Sequence, residues 1–340
     1  MSGTKNISKP NKKGLKLYLK NQLLRMTTSF RLLTVSFTLL LFACTKDKVA
    51  PRHYETENVI IIVMDGPRYS ETWGDSSHQF IPRMANDLAP IGCIYTDFYS
   101  QGETFTIPGH TAISTGFYQY IDNGGMELPQ RPSIFQLWRS RHNVPQDKSW
   151  VIASKGKIEV LANCSNLSWK DQFSPMTDCG IESGGALSGY RHDSITYQNT
   201  LDILSTHHPN LAIINFREPD FSGHTCDAEV YQQGILDVDN YIYQLINYIE
   251  TDSLYQGKTT VFVTNDHGRH SDGVGDGFCS HGDPCDGCKH INLYAFGPDF
   301  KKNVILSNER ELIDIPATIA ELLHFDIPNS NGHVMFELFK

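Results

Sequence analysis

The chain has 340 residues, 40% of them hydrophobic and 20% charged, with a formal net charge of −9. Those proportions suit a globular protein and exclude a membrane bundle or a disordered chain. Residues 1–43 hold eight lysines or arginines and no acid; the remainder therefore carries about −17, which argues against a nucleic-acid partner needing a positive surface.

Residues 32–43 form a short apolar run led by Arg31, followed by Cys44 and the polar Thr45-Lys46-Asp47-Lys48. The run is too short for a comfortable membrane span and suits the apolar stretch of a signal peptide. Leu41-Phe42-Ala43-Cys44 resembles a bacterial lipobox, which implies a lipid on Cys44 and export to a cell-envelope membrane. Met26 stands a signal-peptide length upstream and is the expected start. A plain N-terminal membrane anchor is the alternative, and both readings place the body of the protein outside the cytoplasm. Residues 1–44 are thus read as extension and signal, 45–56 as a polar tether and 57–340 as the folded domain. Beyond Cys44 there are seven cysteines (Cys93, Cys164, Cys179, Cys226, Cys279, Cys285 and Cys288), an odd number that leaves one thiol without a disulfide partner.

Along the domain, Asn58–Met64, Leu211–Phe216, Thr259–Thr264 and Ile291–Phe296 are apolar or β-branched runs without polar alternation, as in strands buried on both faces. Tyr231–Glu250 spaces Ile235, Val238, Ile242, Leu245, Ile246 and Ile249 three and four apart, which predicts an amphipathic helix, and Asp314–Leu323 is a second, shorter one. Strands alternating with helices predict an α/β fold with a mostly parallel central sheet flanked by helices. Ligands of such sheets gather at the carboxyl ends of the strands. Asp65, Asp220 and Asp266 follow directly on strand ends, so they are expected to converge. Residues 120–200 are less regular and are expected to form a cap or long excursion over the site, with a further core strand at Ser149–Ser154.

Four short motifs carry chemistry. In Thr104-Phe105-Thr106-Ile107-Pro108-Gly109-His110, Pro108 suits the first turn of a helix, which puts Thr106 beside free backbone amides that favour a phosphate. A metal-activated hydroxyl there can attack phosphorus; alone, it reads as an ordinary helix cap. Asp220 and His224 are four apart and can meet one ion if the segment turns helically. Asp266-His267 lies just past a strand end, and His281 in Ser280-His281-Gly282 offers another imidazole, with His290 as its competitor. Cys279, Cys285, Cys288 and His290 invite comparison with a zinc knuckle, but their spacing fits no standard finger, and a disulfide is the expected alternative. Asn123 is either a phosphoryl donor or a loop residue before Gly124-Gly125.

In this order the motifs resemble the alkaline phosphatase superfamily, and Glu218-Pro219-Asp220-Phe221-Ser222-Gly223-His224 is similar to its nucleotide pyrophosphatase/phosphodiesterase branch. The resemblance spans about residues 57–340 and is weakest over 120–200. It implies Thr106 as nucleophile, one metal on Asp220, His224 and His281, and a second on Asp65, Asp266 and His267 with Thr106. Two divalent ions, Zn²⁺ with Mn²⁺ as the alternative, suit those donors. The implied substrate is a small phosphate ester or nucleotide, cleaved through a phosphothreonine. Phosphomonoesterase chemistry would use the same ligands. A sulfatase element, Cys or Ser-x-Pro-x-Arg, is not matched by Thr106 with Gly109-His110, and no arginine clamp of the monoesterase kind is recognised. From another class, an inactive surface lipoprotein binding phosphate or glycan would have lost donors that are all present here.

Overall fold

The computed structural model describes residues 3, 13, 16, 17, 19–23 and 52–340. Met26, Cys44 and the apolar run before it lie outside the described residues. Among the described residues no helix is long and apolar enough to cross a membrane. Tyr54–Lys340 is one compact unit.

Among the described residues nine strands form one sheet: β1 (Asn58–Asp65), β2 (Cys93–Tyr99), β3 (Ser149–Ala153), β4 (Met176–Cys179), β5 (Leu211–Pro219), β6 (Thr259–Thr264), β7 (His290–Phe296), β8 (Val304–Leu306) and β9 (Arg310–Glu311). Their order is β4-β3-β5-β1-β6-β7-β2-β8, with β9 beside β2. β7 runs antiparallel to both β6 and β2, and every other pairing is parallel. The fold is therefore the α/β arrangement that the sequence predicts, with one reversed strand. The carboxyl ends of β1, β2, β3, β5 and β6 and the amino end of β7 share one edge.

β1 is buried along its whole length. Because successive side chains of a strand point to opposite faces, Val59, Ile61 and Val63 pack in one apolar layer and Ile60, Ile62 and Met64 in the other. The first layer takes residues of α1 (Thr106–Thr115), α2 (Ile134–His142) and α5 (Asp314–Leu322). The second takes the long α4 (Ala228–Thr251), which buries the six predicted apolar positions. Asp227 starts α4 by accepting from the Glu229 and Val230 amides.

Residues 120–200, expected to include a cap or long excursion, supply core elements. They contribute α2, closed at its start by a reciprocal Ser133–Gln136 pair, then β3 and β4 at the sheet margin and the start of α3 (Asp193–His207). Ser149–Ala153 is buried throughout and pairs with Leu211–Asn215, so the region is built into the core. Its irregular look comes from short strands joined by a 3-10 stretch at Gly156–Ala162.

Candidate metal centre

The shared edge brings the expected residues together. Asp65 is the last residue of β1. Asp220 opens a single helical turn directly after β5, which carries His224 one turn further. Asp266 and His267 leave β6 in a turn tied by Asn265, whose amide donates to the His267 carbonyl at 2.7 Å and whose oxygen accepts from the Asn292 amide at 2.7 Å. Thr106 is the first residue of α1, and Asn123 Oδ1 accepts from the Ile107 amide at 3.0 Å. Asn123 is thus a cap for α1.

The donors fall into two groups. Asp220 Oδ1, His224 Nε2 and His281 Nε2 stand 3.2–3.3 Å from one another. A tetrahedral ion with bonds of about 2.0–2.2 Å has ligand–ligand edges of roughly 3.3–3.6 Å, so this triangle fits a divalent cation. In the second group, His267 Nε2 lies 3.6 Å from Asp65 Oδ1 and 3.5 Å from Asp266 Oδ2. All three residues are buried, and none of the three atoms makes a well-directed hydrogen bond, although Lys155 Nζ stands 2.9 Å from Asp65 Oδ1 and His110 Nδ1 3.2 Å from Asp266 Oδ2. Buried polar atoms are costly without a partner, and a cation among them would serve all three at once. His267 also stacks on His281, with ring centroids 3.9 Å apart, so it stands between the groups.

All three imidazoles present Nε2 to the centre. Their Nδ1 atoms face backbone carbonyls: Cys279 for His224 at 3.0 Å, Gly268 for His267 at 2.9 Å and Thr104 for His281 at 2.8 Å. An Nδ1–H donated to a carbonyl fixes the tautomer that leaves Nε2 as a metal donor. Burial pushes the His267 pKa down to about 3 against the opposing charge of Asp266, which keeps the ring neutral near pH 7. A disulfide joins Cys226 to Cys279. Each cysteine is two residues from a histidine of the first group, so the cross-link holds the segments of His224 and His281 together.

Two cations that the sequence reading missed complete the centre. Lys155, two residues past β3 and buried, places Nζ 2.6 Å from Asp220 Oδ2, 2.9 Å from Asp65 Oδ1 and 3.3 Å from Thr106 Oγ1. Burial alone would lower its pKa, but the charges of Asp220, Asp65 and Asp266 outweigh burial and raise it, so the ammonium stays charged. Burial likewise works upward on Asp220, yet Lys155 and the hydrogen bonds of His224 and His281 hold that carboxyl well below its usual range. Asp220 divides its oxygens, Oδ1 toward the histidines and Oδ2 toward Lys155. Arg269, fully buried, donates from one terminal nitrogen to Asp220 Oδ1 and from the other to the Cys279 carbonyl at 2.9 Å. Its guanidinium fills the space beside Gly223, where a Cβ would lie 2.8 Å from Arg269 Cζ. Lys157 donates to Asn123 at 3.1 Å, and burial, with Lys155 adding, pushes its pKa down to about 8. A strand end at Ala153 on the active edge is the signal that could have found Lys155.

His290 is elsewhere. It hydrogen-bonds the Thr96 carbonyl at 2.7 Å and stacks on Tyr69 with centroids 3.8 Å apart. With Cys279 in a disulfide and His290 so engaged, the Cys279–Cys285–Cys288–His290 knuckle does not form.

The family model described as the metalloenzyme superfamily matches residues 107–327. The chain belongs to the metalloenzyme superfamily. Membership and the Asp/His groups together support an enzyme that uses divalent metal. Solved structures similar to this metalloenzyme include a phosphonate monoester hydrolase from Silicibacter pomeroyi, with a TM-score of 0.61 and 15% identity over 82% of this chain and 76% of that one. Murine ectonucleotide pyrophosphatase/phosphodiesterase 5 aligns with a TM-score of 0.60 and 16% identity over 83% of this chain and 100% of that one. A sulfatase, PsFucS1 from Pseudoalteromonas sp., aligns with a TM-score of 0.58 and 14% identity over 82% and 71% of the respective chains. At such identities the likeness is one of fold. No curated protein sequence matches the chain.

Proposed function

We propose that this metalloenzyme is a phosphate-ester hydrolase of phosphodiesterase or nucleotide pyrophosphatase type, with Thr106 as nucleophile. The observation that carries the reading is the position of Thr106 Oγ1. It stands at the start of α1, 3.3 Å from a Lys155 ammonium that touches one carboxylate of each donor group. The murine relative, in its inactive form, is known in complex with AMP, which supports a nucleotide or similar small ester as substrate. Asp220, His224 and His281 would hold one ion; Asp65, Asp266 and His267, with Thr106, would hold the other. Nitrogen and carboxylate donors favour Zn²⁺ over Mn²⁺. When bound, the ions supply Lewis acidity that activates a hydroxyl and draws charge from phosphoryl oxygens.

Thr106 Oγ, its proton passing to solvent, attacks phosphorus, and the bond to the leaving oxygen breaks as the Oγ–P bond forms, the departing alkoxide taking a proton from water. Lys155 donates toward Oγ1 and stabilises its negative charge. Water then cleaves the phosphothreonine and restores the hydroxyl. The protein acts outside the cytoplasm, tethered through a lipid on Cys44, and the Cys226–Cys279 disulfide supports that oxidising setting.

The test is hydrolysis of bis-(p-nitrophenyl) phosphate, p-nitrophenyl phosphate and p-nitrophenyl sulfate by zinc-loaded protein and its Thr106→Ala variant. Cleavage of the diester, lost in the variant, with a phosphorylated Thr106 peptide after acid quench, is expected. Preference for the monoester moves the assignment to phosphatase with the same nucleophile. Preference for the sulfate, or full activity of Thr106→Ala, sinks the proposal.

A further inference from the structure

Between β6 and β7 the chain makes a long excursion, glycine-rich and with only two short regular turns, Gly277–Cys279 and Asp286–Lys289. It carries His281 and Arg269, yet apart from the Cys226–Cys279 disulfide no covalent tie holds it. A second donor set lies within it. A ring nitrogen of His270 and the sulfurs of Cys285 and Cys288 all fall within 4.8 Å of one another. His270 and Cys288 are buried and Cys285 is half-buried. Asp283 brings a fourth donor, its Oδ2 3.1 Å from His270 Nε2.

We propose that His270, Cys285, Cys288 and Asp283 bind a structural zinc ion, distinct from the catalytic donors, that pins the loop bearing His281.

Four observations carry this. His270 Nδ1 faces Asp276 Oδ1 at 3.3 Å, and Ser280 donates to the same carboxylate. A carboxylate on one ring nitrogen of a histidine orients the other toward metal. That other nitrogen, His270 Nε2, is buried and makes no hydrogen bond, since Asp283 lies off the direction one needs. Next, Cys285 directly precedes the Asp286–Lys289 turn, which brings the Cys288 amide to the Cys285 carbonyl at 3.1 Å and so folds the two cysteines together. Third, the turn is pressed against the His270 segment by a close backbone approach. A Cβ on Gly287 would lie 2.5 Å from the Arg269 carbonyl oxygen, and the Gly268 amide donates to the Cys288 carbonyl at 2.7 Å. Lastly, the thiols of Cys285 and Cys288 are free in the same structure that joins Cys226 to Cys279. Two sulfurs and one imidazole, with the Asp283 carboxylate beside the imidazole to supply the fourth donor, are the ligand types that suit structural zinc. Zn²⁺ binds the sulfurs as thiolates, and the two thiol protons pass to solvent.

The test replaces zinc with Co²⁺ in the whole protein and records its absorption. The catalytic donors include no sulfur, so a near-ultraviolet thiolate-to-cobalt band reports this cluster alone, whether or not the catalytic reading holds. One equivalent of cobalt producing that band is expected, lost in Cys285→Ser/Cys288→Ser with cobalt retained at the Asp/His groups. Asp276→Asn keeps the band and weakens cobalt binding by about 10–100-fold. Peptide mapping of the unreduced protein needs no variant to fold. Two alkylatable thiols that become reactive only on chelation support the site. A Cys285–Cys288 disulfide in the isolated protein, or no band with both thiols reduced, overturns it.

Discussion

Lys155 Nζ meets three oxygens at once, on Asp65, Asp220 and Thr106. It offsets charge that divalent ions would otherwise carry alone, and it stands where it can meet negative charge on the oxygen proposed as nucleophile. Donors aimed at such charge in a buried site are worth about 10²–10³ in kcat. Lys155→Met keeps much of the side chain's bulk and removes the charge. Its expected effect is a loss of that size in kcat with bound metal undiminished, read from steady-state kinetics beside elemental analysis. A variant with unaltered kcat, or one that loses metal in parallel, would refute a direct role at Thr106. The three acidic residues were legible in the sequence because each follows an apolar run, and strand ends of a parallel sheet converge. Lys155 was not: the strand at Ser149–Ser154 was expected, but nothing in the sequence alone set that strand beside β5, so the lysine past its end was not joined to the acidic strand ends. Arg269 stood two residues past His267 in plain view, but only the folded loop turns it onto Asp220.

At the scale of elements, what was legible followed length. α4 declared itself by periodicity over Tyr231–Glu250, most of its 24 residues, and β1, β5, β6 and β7 by uninterrupted apolar runs. β4, β8 and β9, with four, three and two residues, are too short to carry a pattern. The reversal of β7 was missed although a physical signal exists. Parallel neighbours need a crossover, usually a helix, and the β6–β7 connection contains none longer than a turn. α4 also carries a charge in its buried face. Asp239 accepts from the Arg83 and Met84 amides at 2.8 and 2.9 Å, tying the segment after β1 to the helix. Burial pushes its pKa up to about 6, against about 3.9 in an unfolded chain. The folded state therefore holds this proton more tightly. The contribution is fully present below about pH 3.9 and is lost as pH rises through 6. Asp239→Asn cannot titrate. Measured by urea unfolding, its stability relative to the parent is expected to improve by about 2 kcal/mol between pH 4 and pH 7, because each pH unit separating the folded and unfolded pKa contributes about 1.4 kcal/mol and part of that span lies below pH 4. A constant difference across that range would assign Asp239 no proton linkage.

For the whole molecule, the fold gathers its acid where a cation can answer it. Asp65, Asp220 and Asp266 come from three strands far apart in sequence, and all are buried at one edge of the sheet. Two buried basic side chains, Lys155 and Arg269, touch Asp220, but Asp266 Oδ2 and His267 Nε2 make no well-directed hydrogen bond. Carboxylates cannot be taken from water so cheaply unless something positive meets them. The edge is therefore stable in full only when loaded, and the fold and its metal are coupled by mass action. A ligand present at a thousand times its dissociation constant stabilises the native state by about 4 kcal/mol. In a domain of this size each kcal/mol shifts the melting temperature by about 2–4 °C. Chelation is thus expected to lower the melting temperature by about 10 °C in scanning calorimetry, and added Zn²⁺ to restore it. The same loss should appear in Thr106→Ala, since that hydroxyl is one donor among several and the remaining carboxylates and imidazoles still need a cation. Superimposable unfolding curves with and without chelator would mean that Lys155 and Arg269 balance the edge by themselves, and the divalent centre would have to be abandoned.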